Sequence, residues 1–210
     1  MRLKLTVSVI TLVVYNDRAV KAMHLSDVEK RELLHMARES IGNAMKKQTG
    51  LSSDRVSEVF QEPAGAFVTL RLRGELRGCI GYIEPHLPLL KTVEEVAAKA
   101  ALEDPRFYPL TKEELENVDI EISVLSPLQR VDSVEQIEVG KHGLVLDGGF
   151  TRGLLLPQVA EEFHWDRDAF LRHTAVKAGL PPEAWNHPAV QLYSFTVEKF
   201  SESELAVKNY

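Results

Sequence analysis

An alternating segment followed by a glycine turn constrains the fold of this 210-residue chain more than any other feature. Within residues 66–73, every second residue from Val68 to Leu72 is apolar, and polar or aromatic residues lie between them. Gly74-Glu75 supplies a two-residue turn, and the residues that follow continue as a second extended segment. The sequence therefore predicts a β-hairpin and, with it, an antiparallel sheet.

The second strand of this hairpin, LRGCIG, has an unusual composition. It contains Arg77, Gly78, Gly81 and Cys79, and Cys79 is the one cysteine of the chain. Glycine weakens a strand and marks a bulge or the close approach of another backbone or a ligand. Alternation places Arg77 and Cys79 on one face, where a guanidinium lowers the pKa of a thiol and favours the nucleophilic thiolate. These four residues are candidate site residues.

The rest of the chain mixes helical and extended patterns without a regular strand-helix repeat. Helices are predicted at residues 27–48, from Pro88 to Ala101, and after Thr111, Pro157 and Asp166. Further strands are predicted at residues 118–124, in a second hairpin around Gly148-Gly149, and at residues 191–200. This arrangement predicts an α+β domain with a mainly antiparallel sheet and flanking helices.

Composition limits the cofactors and the compartment. A single cysteine excludes an internal disulfide and a Cys-only zinc site, and it fits a reducing compartment, so we expect a cytoplasmic protein. The seven histidines include no close pair with metal-ligand spacing, so no metal site is predicted. Neither a P-loop nor a dinucleotide-binding glycine pattern occurs, and the cofactor is left open.

A basic stripe on the first hairpin raises the question of nucleic-acid binding. Arg71, Arg73 and Arg77 are interleaved with Phe67, which is a pattern that stacks on and neutralises single-stranded nucleic acid. The alternative is a solvated outer face of the sheet, and the net charge of −6 favours that alternative.

Residues 1–24 are predicted to be an N-terminal extension. Arg2 and Lys4 precede an apolar stretch that imitates a signal peptide. This stretch is too short to cross a bilayer as a helix, and no membrane segment is predicted. A leading strand or a loose extension is the alternative interpretation, and Met23 is an alternative start.

Four motifs in order, GAFVTLRLRGE, LRGCIG, EDPRF and RGLLLPQVA, resemble the AMMECR1 family. The resemblance implies a domain over residues 25–203, followed by a polar tail at residues 204–210. It also implies an α+β fold with a larger and a smaller subdomain and a groove between them. Memo-like proteins and radical SAM proteins are the partners that it implies.

The EDPRF motif supplies further candidates. Glu103 and Asp104 follow a predicted helix, where carboxylates oppose the helix dipole, so they either pair with arginines such as Arg106 or take part in chemistry. Arg77 lies between apolar residues and needs a carboxylate, for which Glu103, Asp104 and Glu84 are the candidates. A paired arginine still presents donors to a substrate carboxylate or phosphate.

Three functions follow from these residues. The first is an enzyme or enzyme component with a small-molecule or peptide site in the groove, where Cys79 is the nucleophile and Glu103 or a histidine moves protons. His142 and His86 are the candidate histidines. The second is a binding or adaptor module that acts with the implied partners, and the third is nucleic-acid binding. In the opposing interpretation, Cys79 is only a small buried apolar residue.

The remaining candidates for substrate binding are Asp104 and Arg106 in EDPRF, and Gln158 and Trp165 in the region of RGLLLPQVA. Trp165 is equally explained as a core residue.

Overall fold

The computed structural model describes residues 24–48 and 57–207. The predicted extension and its signal-like stretch lie outside these residues, apart from His24. The described chain forms two compact units, a larger unit (residues 24–48, 57–127 and 198–207) and a smaller unit (residues 128–197). Each unit has its own antiparallel sheet and its own apolar core, which confirms the predicted α+β fold.

The described part of the larger unit contains three α-helices and four strands. The helices are α1 (Asp27–Met45), α2 (Leu89–Leu102) and α3 (Lys112–Asn117), and the strands are β1 (Ala66–Leu72), β2 (Glu75–Tyr82), β3 (Val118–Leu125) and β8 (Val197–Ser201). The strand order β2-β1-β3-β8 makes β2 an edge strand. Capping boxes at Ser26 and Thr111 begin α1 and α3, which are two of the helices that the sequence predicts.

The core of the larger unit lies between the two long helices and one face of the sheet. Alternation along β1 and β3 sends every second residue into this core. Its fully buried members include Leu33, Ile41, Val68, Val96, Ile120 and Ile122. The other face carries polar residues, including Thr69, Glu121 and Ser123.

A buried ion pair joins α1 to the C-terminal end of the larger unit. Arg38 Nε donates to Glu202 Oε1 at 2.6 Å, and its Nη groups donate to the carbonyls of Leu115 and Val118. Glu202 Oε2 accepts a second bond from the Ile120 amide at 3.0 Å. Two residues within the predicted polar tail also pack against this core, namely Leu205 and Val207.

The smaller unit is built around a second sheet with the order β4-β7-β5-β6. Its strands are β4 (Gln129–Arg130), β5 (Gly143–Asp147), β6 (Arg152–Leu155) and β7 (Gln191–Phe195), and its helices are α4 (Pro157–Glu162) and α5 (Arg167–Lys177). Its core includes Leu144, Leu146, Phe170 and Leu171. In the described part of the chain, no helix is long and apolar enough to cross a membrane.

Two predicted boundaries are wrong. The first hairpin turns at Arg73-Gly74, one residue earlier than predicted, and both residues have positive φ (55° and 85°), as a type I′ turn requires. The predicted last strand, residues 191–200, is two strands, because the chain leaves the second sheet after Phe195 and enters the first sheet at Val197.

Candidate functional site

Strand β2 contains a bulge at Arg77. Its pairing with β1 passes from Gly78 directly to Leu76, which leaves Arg77 without an opposite residue. The prediction that Arg77 and Cys79 share one face assumed regular alternation, and the bulge interrupts that alternation. The two side chains accordingly contact different partners.

The carboxylate partner of Arg77 is Glu114, in the first turn of α3. Arg77 Nε and Nη2 donate to the two carboxylate oxygens at 2.8 and 3.0 Å. The predicted partners Glu103, Asp104 and Glu84 are therefore wrong for this arginine. The hydrogen bonds from Arg77 lower the pKa of Glu114 to about 2.

The main chain of Cys79 is held by two residues of the EDPRF motif. Its N–H donates to Asp104 Oδ2 at 2.9 Å, and its carbonyl accepts from Arg106 Nη2 at 3.1 Å. Arg106 also binds both carboxylate oxygens of Asp104, at 2.9 and 2.7 Å, which confirms that these two residues pair. Because β2 is an edge strand, Asp104 and Arg106 stand where a neighbouring strand would otherwise be. We call this arrangement the Asp104–Arg106 cap.

The charges of the cap stabilise each other. Burial raises the pKa of the Asp104 carboxyl, but the hydrogen bonds from Arg106 and the Cys79 amide outweigh it, and the pKa lies below its ordinary value. The Asp104 side chain is 2% exposed, whereas that of Arg106 is 49% exposed. The cap therefore has a buried anion and an accessible cation.

The thiol of Cys79 is half-buried and accepts a hydrogen bond from Thr69 Oγ1 at 3.3 Å. Burial raises the pKa of this thiol, and the effect outweighs the Thr69 hydrogen bond and the positive charge of Arg106. The expected lowering of its pKa by Arg77 is wrong, because that guanidinium binds Glu114 instead. The thiol is protonated at neutral pH.

The two glycines of β2 mark close approaches made by the protein itself. A Cβ at Gly78 would overlap the carbonyl oxygen of Ala100 in α2, and a Cβ at Gly81 would overlap the ring of Phe67. Gly78 thus lets α2 approach the sheet, and Gly81 lets an aromatic ring lie across the edge strand.

The arginines of the predicted basic stripe are mostly paired. Arg71 Nε lies 4.0 Å from Glu121 Oε2, and Lys199 Nζ lies 3.5 Å from the same oxygen. Since Arg77 binds Glu114, only Arg73, at the tip of the hairpin, adds an exposed cation without an ion pair in the described chain. This charge balance is typical of a solvated outer face of a sheet, which is the alternative to nucleic-acid binding.

The other predicted site residues take no part in the hydrogen bonds of the cap. Glu103 is exposed at the end of α2, whereas His142, Gln158 and Trp165 all belong to the smaller unit. Trp165 stacks on His173, with ring centroids 3.9 Å apart. Among residues 24–48 and 57–207, no group of three or more His, Cys, Asp or Glu residues is arranged to hold a metal ion.

The fold and the site together define an α+β protein in which a glycine-containing edge strand carries a capped cysteine. The chain belongs to the AMMECR1 family, whose sequence model matches residues 34–200.

Relatives and a solved structure agree with this membership. A protein of Methanothermobacter thermautotrophicus is 43% identical over 190 residues, which cover 87% of this chain and 99% of the relative. Protein MJ0810 of Methanocaldococcus jannaschii is 44% identical, over 70% of this chain and 77% of that protein. The crystal structure of the uncharacterised protein PH0010 from Pyrococcus horikoshii is similar, with a TM-score of 0.79 and 35% identity, and the similarity covers 87% of this chain and 95% of that one.

Proposed function

We propose that this protein is an enzyme or enzyme component that binds a small molecule or a peptide beside Cys79, at the edge strand of the larger unit. The observation that supports this proposal best is the Asp104–Arg106 cap. The Asp104 carboxylate loses its hydration while Arg106 stays half exposed to solvent that screens it, so the attraction between the two charges adds little net stability. Stability alone therefore gives little reason to keep Asp104 and Arg106 at this position.

The cap leaves hydrogen-bonding capacity for a ligand. Arg106 uses Nε and Nη2 within the cap, and Nη1 makes no hydrogen bond to any residue that the structure describes. Its two N–H groups suit a carboxylate or another anionic acceptor. Thr69 and Cys79 add a hydroxyl and a neutral thiol nearby. These groups favour a ligand that carries at least one negative charge.

In this proposal, Cys79 contacts the ligand as a neutral thiol. Its raised pKa argues against a resting thiolate, so catalysis by Cys79 would need a base that removes its proton. Glu103 and His142 are the predicted bases, and Gln158 and Trp165 are predicted binding residues. No finding tests these four roles, and they stay predictions.

A thermal-shift screen of small carboxylates and short peptides tests the proposal. A compound that binds only the folded protein raises its melting temperature. We expect compounds that stabilise the wild type and lose this effect in Arg106→Gln, whereas Arg130→Gln, an exposed control in β4, keeps it. The proposal fails if every stabilising compound acts equally on both variants, or if none protects Cys79 from alkylation.

The other predicted functions rest on the resemblance and the basic stripe alone. These functions are an adaptor acting with Memo-like and radical SAM proteins, and nucleic-acid binding, and both stay predictions. The cytoplasmic location and the domain limits 25–203 also stay predictions.

A further inference from the structure

We infer that the ligand of this site is an extended peptide with a free C-terminal carboxylate, which pairs with the edge of β2 at Gly81 and places its carboxylate on Arg106. This inference rests on the proposed function and names the class of its ligand.

The main-chain groups of Gly81 point away from the sheet. In an antiparallel strand, residues two apart direct their N–H and C=O groups to the same side. The groups of Cys79 point off the edge, where the cap binds them, and the register from Gly78 to Tyr82 is regular. Those of Gly81 therefore point off the same edge. In the described ranges, no residue pairs with them.

An added strand has room for only a short pairing. Toward Arg77, the edge is occupied at Cys79 by the cap, so a peptide that pairs with Gly81 and runs in that direction must end there. Cys79 and Gly81 are two residues apart, which is roughly 7 Å along a strand. A strand residue rises only about 3.4 Å, so a peptide that ends one residue beyond the one paired with Gly81 ends opposite Ile80. Its terminal carboxylate then lies next to the cap and reaches the guanidinium of Arg106.

The charge and surface of this edge fit such an end. Arg106 presents Nη1 to the ligand, while its side chain is 49% exposed. A second guanidinium, that of Arg77, shares the ring of Phe107 with it, at 5.9 and 5.5 Å from the ring centroid. Next to Gly81, the ring of Phe67 offers an apolar surface for a peptide side chain. Main-chain pairing gives affinity in such strand addition, and the flanking contacts give specificity.

Amide shifts of the full-length, ¹⁵N-labelled protein test the inference. The probe is a pool of acetyl-capped tetrapeptides with random sequence, prepared once with a free C-terminal carboxylate and once amidated. We expect the free-acid pool to shift the Gly81 amide resonance toward that of a hydrogen-bonded amide. Amidation should weaken binding about ten-fold or more, because a charge-assisted hydrogen bond is lost. Gly149, at an exposed turn of the smaller unit, is the internal control.

Two variants test whether Arg106 binds the terminal carboxylate of the peptide. Arg106→Gln should abolish the difference between the acid and amide pools, and Arg130→Gln should retain it. The Cys79 amide resonance in Arg106→Gln reports whether the cap main chain is still in place. If the variant loses the cap, Arg106→Lys takes over the test: it keeps the charge and should retain part of the preference for the acid.

Two outcomes would overturn the inference. One is an unmoved Gly81 amide with both pools, and the other is equal binding of acid and amide. If a compound from the thermal-shift screen shifts Cys79 while the peptide pools do not, the peptide inference fails and the proposed function stands. If neither the screen nor the pools affect this strand, both fail.

Discussion

Two arginine–carboxylate pairs in the larger unit use the same chemistry and differ in what they leave unbound. Arg38 and Glu202 bind each other and three main-chain groups, with side chains only 18% and 6% exposed. Arg106 and Asp104 bind each other and the main chain of Cys79, but the arginine is half exposed, and its Nη1 makes no hydrogen bond to a described residue.

The difference separates a pair that is only structural from a pair whose arginine can still donate hydrogen bonds to a ligand. In the first pair, every charged group is enclosed by the chain, so its role is to connect α1, β3 and the C-terminal end. In the second, the anion is enclosed and the cation is not. An accessible, oriented guanidinium is what recognition of an anionic ligand requires.

The largest expected effect comes from breaking the enclosed pair. Arg38→Met leaves the Glu202 carboxylate buried without its cation, and we expect a loss of about 3–5 kcal/mol in the free energy of unfolding. Urea denaturation measures it. Arg31→Met is the matched control on the same helix, because Arg31 makes one exposed bond to Leu205. Equal losses in the two variants would contradict the structural role of Arg38.

Breaking the half-exposed pair should cost less. Arg106→Met leaves Asp104 bound to the Cys79 amide, and water and protonation relieve part of the remaining charge. We expect a loss of about 1–3 kcal/mol. The same urea titration checks it, and a loss as large as that of Arg38→Met would remove the contrast between the two pairs.

A third pair, Arg77 with Glu114, adds a pH dependence. The folded-state pKa of Glu114, about 2, lies below its ordinary value of 4.5, so the folded state binds fewer protons than the unfolded state between these values. The stability from this pair is complete above pH 4.5 and is lost as the pH falls toward 2. In Arg77→Met, the free energy of unfolding should fall less steeply with acid. If the free energy of unfolding falls equally steeply with acid in both proteins, Arg77 and Glu114 do not form this pair in solution.

The smallest expected effect is on the reactivity of Cys79. Its pKa is raised by burial, so alkylation of the native thiol should rise only above the ordinary thiol pKa of about 8.5. Because the charge of Arg106 lowers this pKa, Arg106→Gln should move the profile slightly further up, whereas Arg38→Met should leave it in place. Fast labelling at pH 7 would instead indicate an accessible thiolate.

Local signals predicted most of the fold. Capping boxes at Ser26 and Thr111, the alternation of β3 and the glycines of the hairpins depend on residues a few positions apart, which a sequence shows directly. The last strand was predicted as one because its pattern continues past Thr196, and alternation does not reveal a change of sheet.

The site was predictable only in part, because its contacts are long-range. EDPRF and LRGCIG both contain candidate site residues, and the pairing of Asp104 with Arg106 follows from their closeness in sequence. Glu114 belongs to the capping box of α3, and nothing in the sequence indicates that it lies close to Arg77. The pKa of Cys79 depends on how deeply the folded chain buries the thiol, and burial at an edge strand is a property of the whole sheet.

The protonated state of Cys79 also bears on oxidative damage. Peroxides oxidise thiolates far faster than thiols, so a thiol with a raised pKa reacts slowly at neutral pH. This chain has no second cysteine with which an oxidised Cys79 would form an internal disulfide. The burial that keeps the proton on the sulfur therefore protects the site from sulfinic and sulfonic acids, which are not readily reduced.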